Sequence, residues 1–162
     1  MNDRQLIISS IKERILKELS RYKEKITVNR YYIGNINVDG ILRSLIDDTP
    51  WLFFVDEWRW EETGQKINIF PKYKYTRKQT EELRERCQQE VGIILSRLKE
   101  DKGVNGIAKH LHDILIRNIK YEKQNNYEVH TIIGPILKRK CVCDGFSKLY
   151  KLILDELGIE NY

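Results

Sequence analysis

The chain has 162 residues, of which 41% are hydrophobic and 33% are charged, and its formal net charge is +5. A chain of this length buries roughly 70% of the surface that its unfolded form exposes, so it needs no disulfide or metal to fold. This composition excludes a disordered or fibrous protein. The two signs of charge are interspersed, and the densest basic run, Lys138-Arg139-Lys140, contains no aromatic residue, so we expect no nucleic-acid partner.

Targeting signals are also missing from the sequence as written. The N-terminus lacks the features of a signal peptide, and no apolar run approaches the ~20 residues that span a bilayer. We therefore expect a cytoplasmic protein with no membrane partner, although a fragment would leave its localisation unknown. The three cysteines are an odd number, which argues against a disulfide framework.

The first part of the chain predicts a small α+β unit. Apolar residues recur at helical spacing from Asp3 to Lys23, and Pro50 ends a second, shorter helix. Aromatic residues favour a strand between these helices and another after them. The predicted elements are helices at 3–23, 38–46 and 80–98, a strand at 25–33, and a hairpin of strands at 51–60 and 66–70 turning at Gly64.

This organisation predicts two domains, an N-terminal accessory unit at 1–101 and a second unit at 102–162. The long helix at 80–98 bridges them, and Cys87 lies on its apolar stripe, where we expect a structural thiol. The tryptophans Trp51, Trp58 and Trp60 are expected in the core of the sheet, although the alternating faces of the strand could expose one of them for contact with a partner.

The second part of the chain predicts mostly helices. A helix at 104–121 precedes a polar loop at 122–128, and His130–Gly134 is expected to be short and extended. From Phe146 to Leu157 the apolar residues follow helical spacing throughout, and Gly158 stands where a left-handed cap belongs.

Cys143 is the residue on which the chemistry depends. It lies three residues before Phe146, so it is predicted in the first turn of this helix, on its buried side. The unpaired amide groups and the positive end of the helix favour a thiolate there. The Cys143 backbone N–H is a candidate oxyanion donor, and Gly145 is expected to leave room for a substrate carbonyl. Asp144 stands between them as a further candidate for shaping the site.

A cysteine nucleophile also needs a histidine base, usually oriented by a third group. The local candidates are His130 and the His112-Asp113 pair, but adjacent residues of a helix point about 100° apart, so the pair is not a ready-made dyad, and a structural role stays open beside that of a base. Cys141 and Cys143 lack the spacing of a metal pair, and no metal site is expected. Cys141 is instead a candidate resolving thiol or disulfide partner.

Several elements of the second part, in their order along Lys109–Tyr162, resemble the bacterial transglutaminase-like superfamily. The accessory unit also resembles the unit that precedes this domain, at Asp48–Phe53 and Ile67–Tyr73, although more weakly. The elements that carry the main resemblance are His112-Asp113, Asn118, Tyr121, Thr131-Ile132-Ile133-Gly134, Val142-Cys143-Asp144-Gly145-Phe146-Ser147 and Leu157-Gly158-Ile159.

The resemblance implies a papain-like α+β fold, of which this chain holds the helical, nucleophile-bearing half. It implies Cys143 as the nucleophile, a histidine and an aspartate on later strands, and no cofactor. The family acts on amides by acyl transfer or hydrolysis. Two features depart from the pattern, because Cys141 replaces a small residue and only residues 144–162 come after the nucleophile.

We therefore expect a truncated transglutaminase-like protein that is inactive alone and whose parent activity is cysteine-dependent acyl transfer or hydrolysis on protein or peptide amides. The alternative is a non-catalytic interaction module derived from the same fold, and a third reading has a partner chain supply the missing strands. Since the helix at 146–157 would lack its sheet, we also expect an apolar patch near Tyr150 and Leu154, or self-association through this helix.

Overall fold

The computed structural model describes residues 3–30, 37–98, 103–123 and 126–161, and the α+β class predicted from the sequence is confirmed. The chain divides into two compact units, Met1–Arg77 and Lys78–Tyr162. This boundary differs from the one expected between residues 101 and 102, and it assigns most of the long helix to the second unit.

In its described residues, 3–30 and 37–77, the first unit contains two α-helices, a 3-10 helix and three strands. Helix α1 (Asp3–Ser20) buries Ile11, Ile15 and Leu19, which recur at spacings of four residues. The Asn37 side chain accepts hydrogen bonds from the first amides of α2 and so caps it. The remaining elements are β1 (Ile26–Asn29), α2 (Val38–Asp48), the 3-10 helix Pro50–Leu52, β2 (Val55–Thr63) and β3 (Lys66–Tyr73).

The three strands form one antiparallel sheet in the order β1-β3-β2. The predicted hairpin of β2 and β3 is confirmed, with Gly64 at a positive φ of 59° in its turn. Ile67 and Ile69 of β3 are at most 1% exposed and form the buried face. The expected strand at 25–33 is shorter, since β1 ends at Asn29, and Tyr31, Tyr32 and Ile33 lie outside the described residues.

The tryptophans correct two predictions about this sheet. Trp51 belongs to a 3-10 helix that begins at Pro50, and the strand starts only at Val55, because proline lacks the amide that a ladder needs. Trp58 is half-buried and Trp60 is 39% exposed, so these residues do not form the core. Their indole N–H groups donate instead to the two carboxylate oxygens of Asp39, at 2.8 and 3.3 Å.

Where the structure describes it, at residues 78–98, 103–123 and 126–161, the second unit contains three α-helices and an irregular segment that lies between the last two of them. Helix α3 (Arg77–Leu98) is confirmed with its buried stripe, and α4 (Gly103–Asn118) ends three residues earlier than expected. Lys120–Tyr121 form strand β4, which pairs in parallel with β5 (Lys140–Cys141). The other elements are the 3-10 helix Tyr127–His130, the π-helix Gly134–Lys138 and helix α5 (Cys143–Glu156).

The expectation of an extended stretch at His130–Gly134 is wrong. His130 ends the 3-10 helix, and Gly134 opens the π-helix. A Cβ atom on Gly134 would lie 2.6 Å from the Lys140 carbonyl oxygen and 2.7 Å from that of Glu128. Only glycine permits this close backbone approach, which folds the segment back on itself.

Helix α5 matches its prediction closely, and Gly158 comes after it at a positive φ of 68°. The expected apolar patch is not present, because Leu154 is 5% exposed and the half-buried Tyr150 donates its hydroxyl to the Ala108 carbonyl of α4 at 3.0 Å. This burial removes the reason for expecting self-association through the helix. Among the described residues, no helix has the length and apolar character required to cross a membrane.

Candidate functional site

Cys143 is the first residue of helix α5. The predicted position in the first turn is confirmed, but the expected burial is wrong, since the Cys143 side chain is exposed. Val142, which precedes it, supplies no side-chain hydrogen bond to cap the helix. The first amides of α5 are therefore not capped by that side chain, and the exposed sulfur lies at the positive end of the helix.

Gly145 fixes the start of α5 against the preceding segment. A Cβ atom there would lie 2.3 Å from the Val129 carbonyl oxygen and 3.1 Å from that of Thr131. The space that this glycine leaves is thus occupied by the chain's own backbone, and the room for a substrate carbonyl that the sequence suggested is not there. Val129 also accepts a hydrogen bond from the Val142 N–H at 3.2 Å, which joins the two segments again.

The segment that meets the helix is held by short-range hydrogen bonds. The Asn126 side chain accepts from the Val129 N–H at 3.2 Å and caps the 3-10 helix. The buried Thr131 hydroxyl donates to the Glu128 carbonyl at 3.1 Å and accepts from the Ile133 N–H at 3.2 Å. The backbone of His130 is therefore held on both sides.

His130 and Asp144 form a cluster with Lys148 beside Cys143. The His130 Nδ1 lies 3.6 Å from the Asp144 Oδ2, and the Lys148 ammonium lies 3.0 Å from the other oxygen of that carboxylate. Lys148 also donates to the His130 carbonyl at 3.2 Å. Both predicted candidates, His130 and Asp144, thus meet at the first turn of α5, whereas Lys148 is a member of the cluster that sequence reasoning missed. Its spacing of four residues from Asp144 was the signal available.

His112 and Asp113 approach each other more closely than their positions on a helix suggested. The His112 Nδ1 lies 3.4 Å from the Asp113 Oδ1, and both side chains are exposed. The His112 ring meets the edge of the Phe146 ring of α5 at 6.5 Å between centroids. This pair is therefore near helix α5, one turn beyond Cys143.

The other two cysteines are buried. Cys87 is 0% exposed and Cys141 is 1% exposed. Burial raises the pKa of the Cys87 thiol to about 12 and that of the Cys141 thiol to about 11. Both are therefore neutral thiols near pH 7, and the core position predicted for Cys87 is confirmed.

Two further findings limit the chemistry of the site. Within the described residues, no group forms a hydrogen bond with the Cys143 sulfur. The same parts of the chain contain no group of three or more histidine, cysteine or carboxylate side chains that could hold a metal ion.

The basic run next to the site is paired with carboxylates. Lys138 pairs with Glu128, Arg139 pairs with Glu90, and the Lys140 ammonium lies 2.9 Å from Glu122. These pairs neutralise the densest positive sequence of the chain, so the run is not a free cationic surface.

Comparison of the sequence with models of known protein families gives no match, and comparison with curated proteins gives none. The resemblance to the transglutaminase-like superfamily therefore depends only on the order of the motifs between Lys109 and Tyr162.

Proposed function

We propose that the second unit carries the nucleophile of a thiol acyl-transfer enzyme of the transglutaminase-like type, acting on amide groups of proteins or peptides. One observation carries the proposal. Of the three cysteines, Cys143 alone is exposed, and it is the first residue of a 14-residue helix that the preceding residue, Val142, does not cap with its side chain.

The chemistry is a consequence of this position. The Cys143 sulfur loses its proton and attacks the amide carbon, so that a C–S bond forms while the carbonyl oxygen becomes negative. An uncapped backbone N–H of the first turn, that of Cys143 in particular, is suited to stabilise this oxyanion, and the helix dipole favours negative charge at the same end. Collapse of the intermediate breaks the C–N bond and releases the protonated amine, and water or a second amine then takes the acyl group.

The alternative is a non-catalytic interaction module of the same fold. It is favoured by the lack of a hydrogen bond to the Cys143 sulfur among the described residues, since an activated cysteine usually has a histidine within reach. The two proposals differ in what they predict for acylation of Cys143.

An activated ester such as 4-nitrophenyl acetate is the probe, because it acylates thiolates without requiring the natural substrate. We expect the acyl group on the peptide that contains Cys143, and we expect its transfer to added hydroxylamine. Neither acylation of this peptide nor transfer should be observed in Cys143→Ser. The matched control is Ser147→Cys in the Cys143→Ser background, an exposed thiol one turn later on the same helix. The enzyme proposal requires Cys143 to be acylated at least about tenfold faster than this control. Equal rates would favour the interaction module.

A further inference from the structure

The backbone brings His130 next to the first turn of helix α5, which contains Cys143. Val129 accepts a hydrogen bond from Val142, and the carbonyl groups of Val129 and Thr131 both lie against Gly145. His130 stands between these two contacts, so its Cα is fixed beside the first turn of α5. The side chain itself is 45% exposed.

The second nitrogen of the His130 ring, Nε2, is available to accept a proton. Nδ1 is the atom that lies 3.6 Å from the Asp144 carboxylate. Within the described residues, Nε2 of His130 has no hydrogen-bond partner. A carboxylate at Nδ1 favours the tautomer in which Nε2 is an acceptor, and this is the arrangement that a histidine base requires.

The geometry points to His130 as the base that removes the Cys143 proton, with Asp144 orienting the ring and Lys148 holding the His130 backbone. This inference rests on the proposed function of Cys143. The S–H bond breaks as an N–H bond forms at Nε2, and the sulfur lone pair attacks the acyl carbon. The same proton then passes from Nε2 to the departing amine, so the imidazole is neutral again before water or another amine takes the acyl group.

The position of His130 differs from the one that the family resemblance implies, because His130 precedes the nucleophile helix along the chain. His112 is the competing candidate, since it also lies near α5 and has a carboxylate at Nδ1. Its ring, however, contacts Phe146, one turn away from Cys143, and its carboxylate partner is on α4. Because His112 and His130 each have a carboxylate near Nδ1, a substitution of His112 is the matched control for the substitution of His130.

The test compares wild type with His130→Gln, Asp144→Asn and His112→Gln over pH 6 to 10. Two rates are measured at Cys143 in each protein, acylation by 4-nitrophenyl acetate and alkylation by iodoacetamide. Both reactions require removal of the Cys143 thiol proton, but only acylation involves attack on a carbonyl carbon. Far-ultraviolet circular dichroism and thermal unfolding confirm that each variant is folded. The charged groups next to the ring are Asp144 and Lys148.

We expect His130→Gln to lower both rates at pH 7 by about 10- to 100-fold, with the difference closing toward pH 10, where hydroxide removes the proton. Asp144→Asn should lower them by a smaller factor, about threefold to tenfold, and His112→Gln should leave them unchanged. The inference is overturned if His130→Gln alkylates like wild type at every pH, or if His112→Gln shows the loss. Failure of the proposed function gives a different result. Wild-type Cys143 would then be acylated no faster than the Ser147→Cys control, whatever the pH dependence of alkylation in the variants.

Discussion

At the scale of single residues, the absence of a side chain at Gly145 allows the first turn of α5, which contains Cys143, to pack against the preceding segment. We expect Gly145→Ala to lower the free energy of unfolding of the second unit by about 3 kcal/mol, since a Cβ would overlap the Val129 carbonyl oxygen. Chemical denaturation monitored by circular dichroism measures this change.

The matched control is Gly92→Ala in α3, where a Cβ would meet no atom within 4 Å. Alanine is the better helix former there, so this variant should gain about 1 kcal/mol. Equal effects of the two substitutions would contradict the close approach at Gly145.

Asp39 provides a second prediction at this scale. The Trp58 indole, and to a smaller extent that of Trp60, donates to the Asp39 carboxylate and holds its pKa below the usual 3.8. A lowered pKa stabilises the fold above the unfolded value, and this contribution is lost as pH falls through the folded value. Asp39→Asn should therefore cost about 1 kcal/mol near pH 7, a modest figure because the group is solvent-accessible.

As pH falls below about 3.8, the difference between Asp39→Asn and wild type should begin to shrink, because the unfolded carboxyl is then protonated, and the difference should be lost as pH falls further through the lower pKa of the folded carboxyl. Urea unfolding at pH 7 and pH 3, monitored by tryptophan fluorescence, measures both differences. A constant difference across this range would show that the charge of Asp39 does not stabilise the unit.

Residue-scale prediction from the sequence succeeded for the position of Cys143 and failed for its exposure. The spacing from Phe146 sets the turn of the helix on which Cys143 lies. Which side of that turn is covered depends on the segment from Val129 to Thr131, which packs on Gly145 and leaves Cys143 at the surface. That contact joins residues 14 to 16 positions apart and has no periodic signal in the sequence.

At the scale of elements, the 3-10 helix Tyr127–His130 positions the candidate base. We expect Asn126→Ala to destabilise the second unit by about 1 kcal/mol, because its side chain caps this helix through the Val129 N–H. Thermal unfolding measures the loss. Asn126→Asp keeps an oxygen acceptor at the same place and should be close to wild type, so a similar loss in both variants would argue against the cap.

The helices were predictable from the sequence, and the irregular elements were not. Helix α5 has a complete apolar stripe and a glycine cap, which are local features. The sequence Thr131-Ile132-Ile133 has β-branched residues typical of a strand, but the approach of Gly134 to the Lys140 carbonyl imposes a π-helix on the residues from Gly134 to Lys138. Likewise, the aromatic residues from Trp51 to Phe54 favoured a strand, and Pro50 opened a 3-10 helix instead.

At the scale of the whole molecule, the formal charge of +5 is less informative than its distribution. The basic run at 138–140 is paired with three glutamates that come from separate parts of the second unit. The sequence shows the run but not its partners, because Glu90 lies 49 residues away from Arg139.

The three cysteines of the chain differ in burial, and the central claim depends on that difference. Iodoacetamide is added to the native protein at pH 7, and peptide mapping tracks each thiol over time. We expect Cys143 to react at least about tenfold faster than the thiol of Ser147→Cys in the Cys143→Ser background, while Cys87 and Cys141 stay unmodified. A Cys143 that reacts no faster than this control would contradict the claim that its position activates it as a nucleophile.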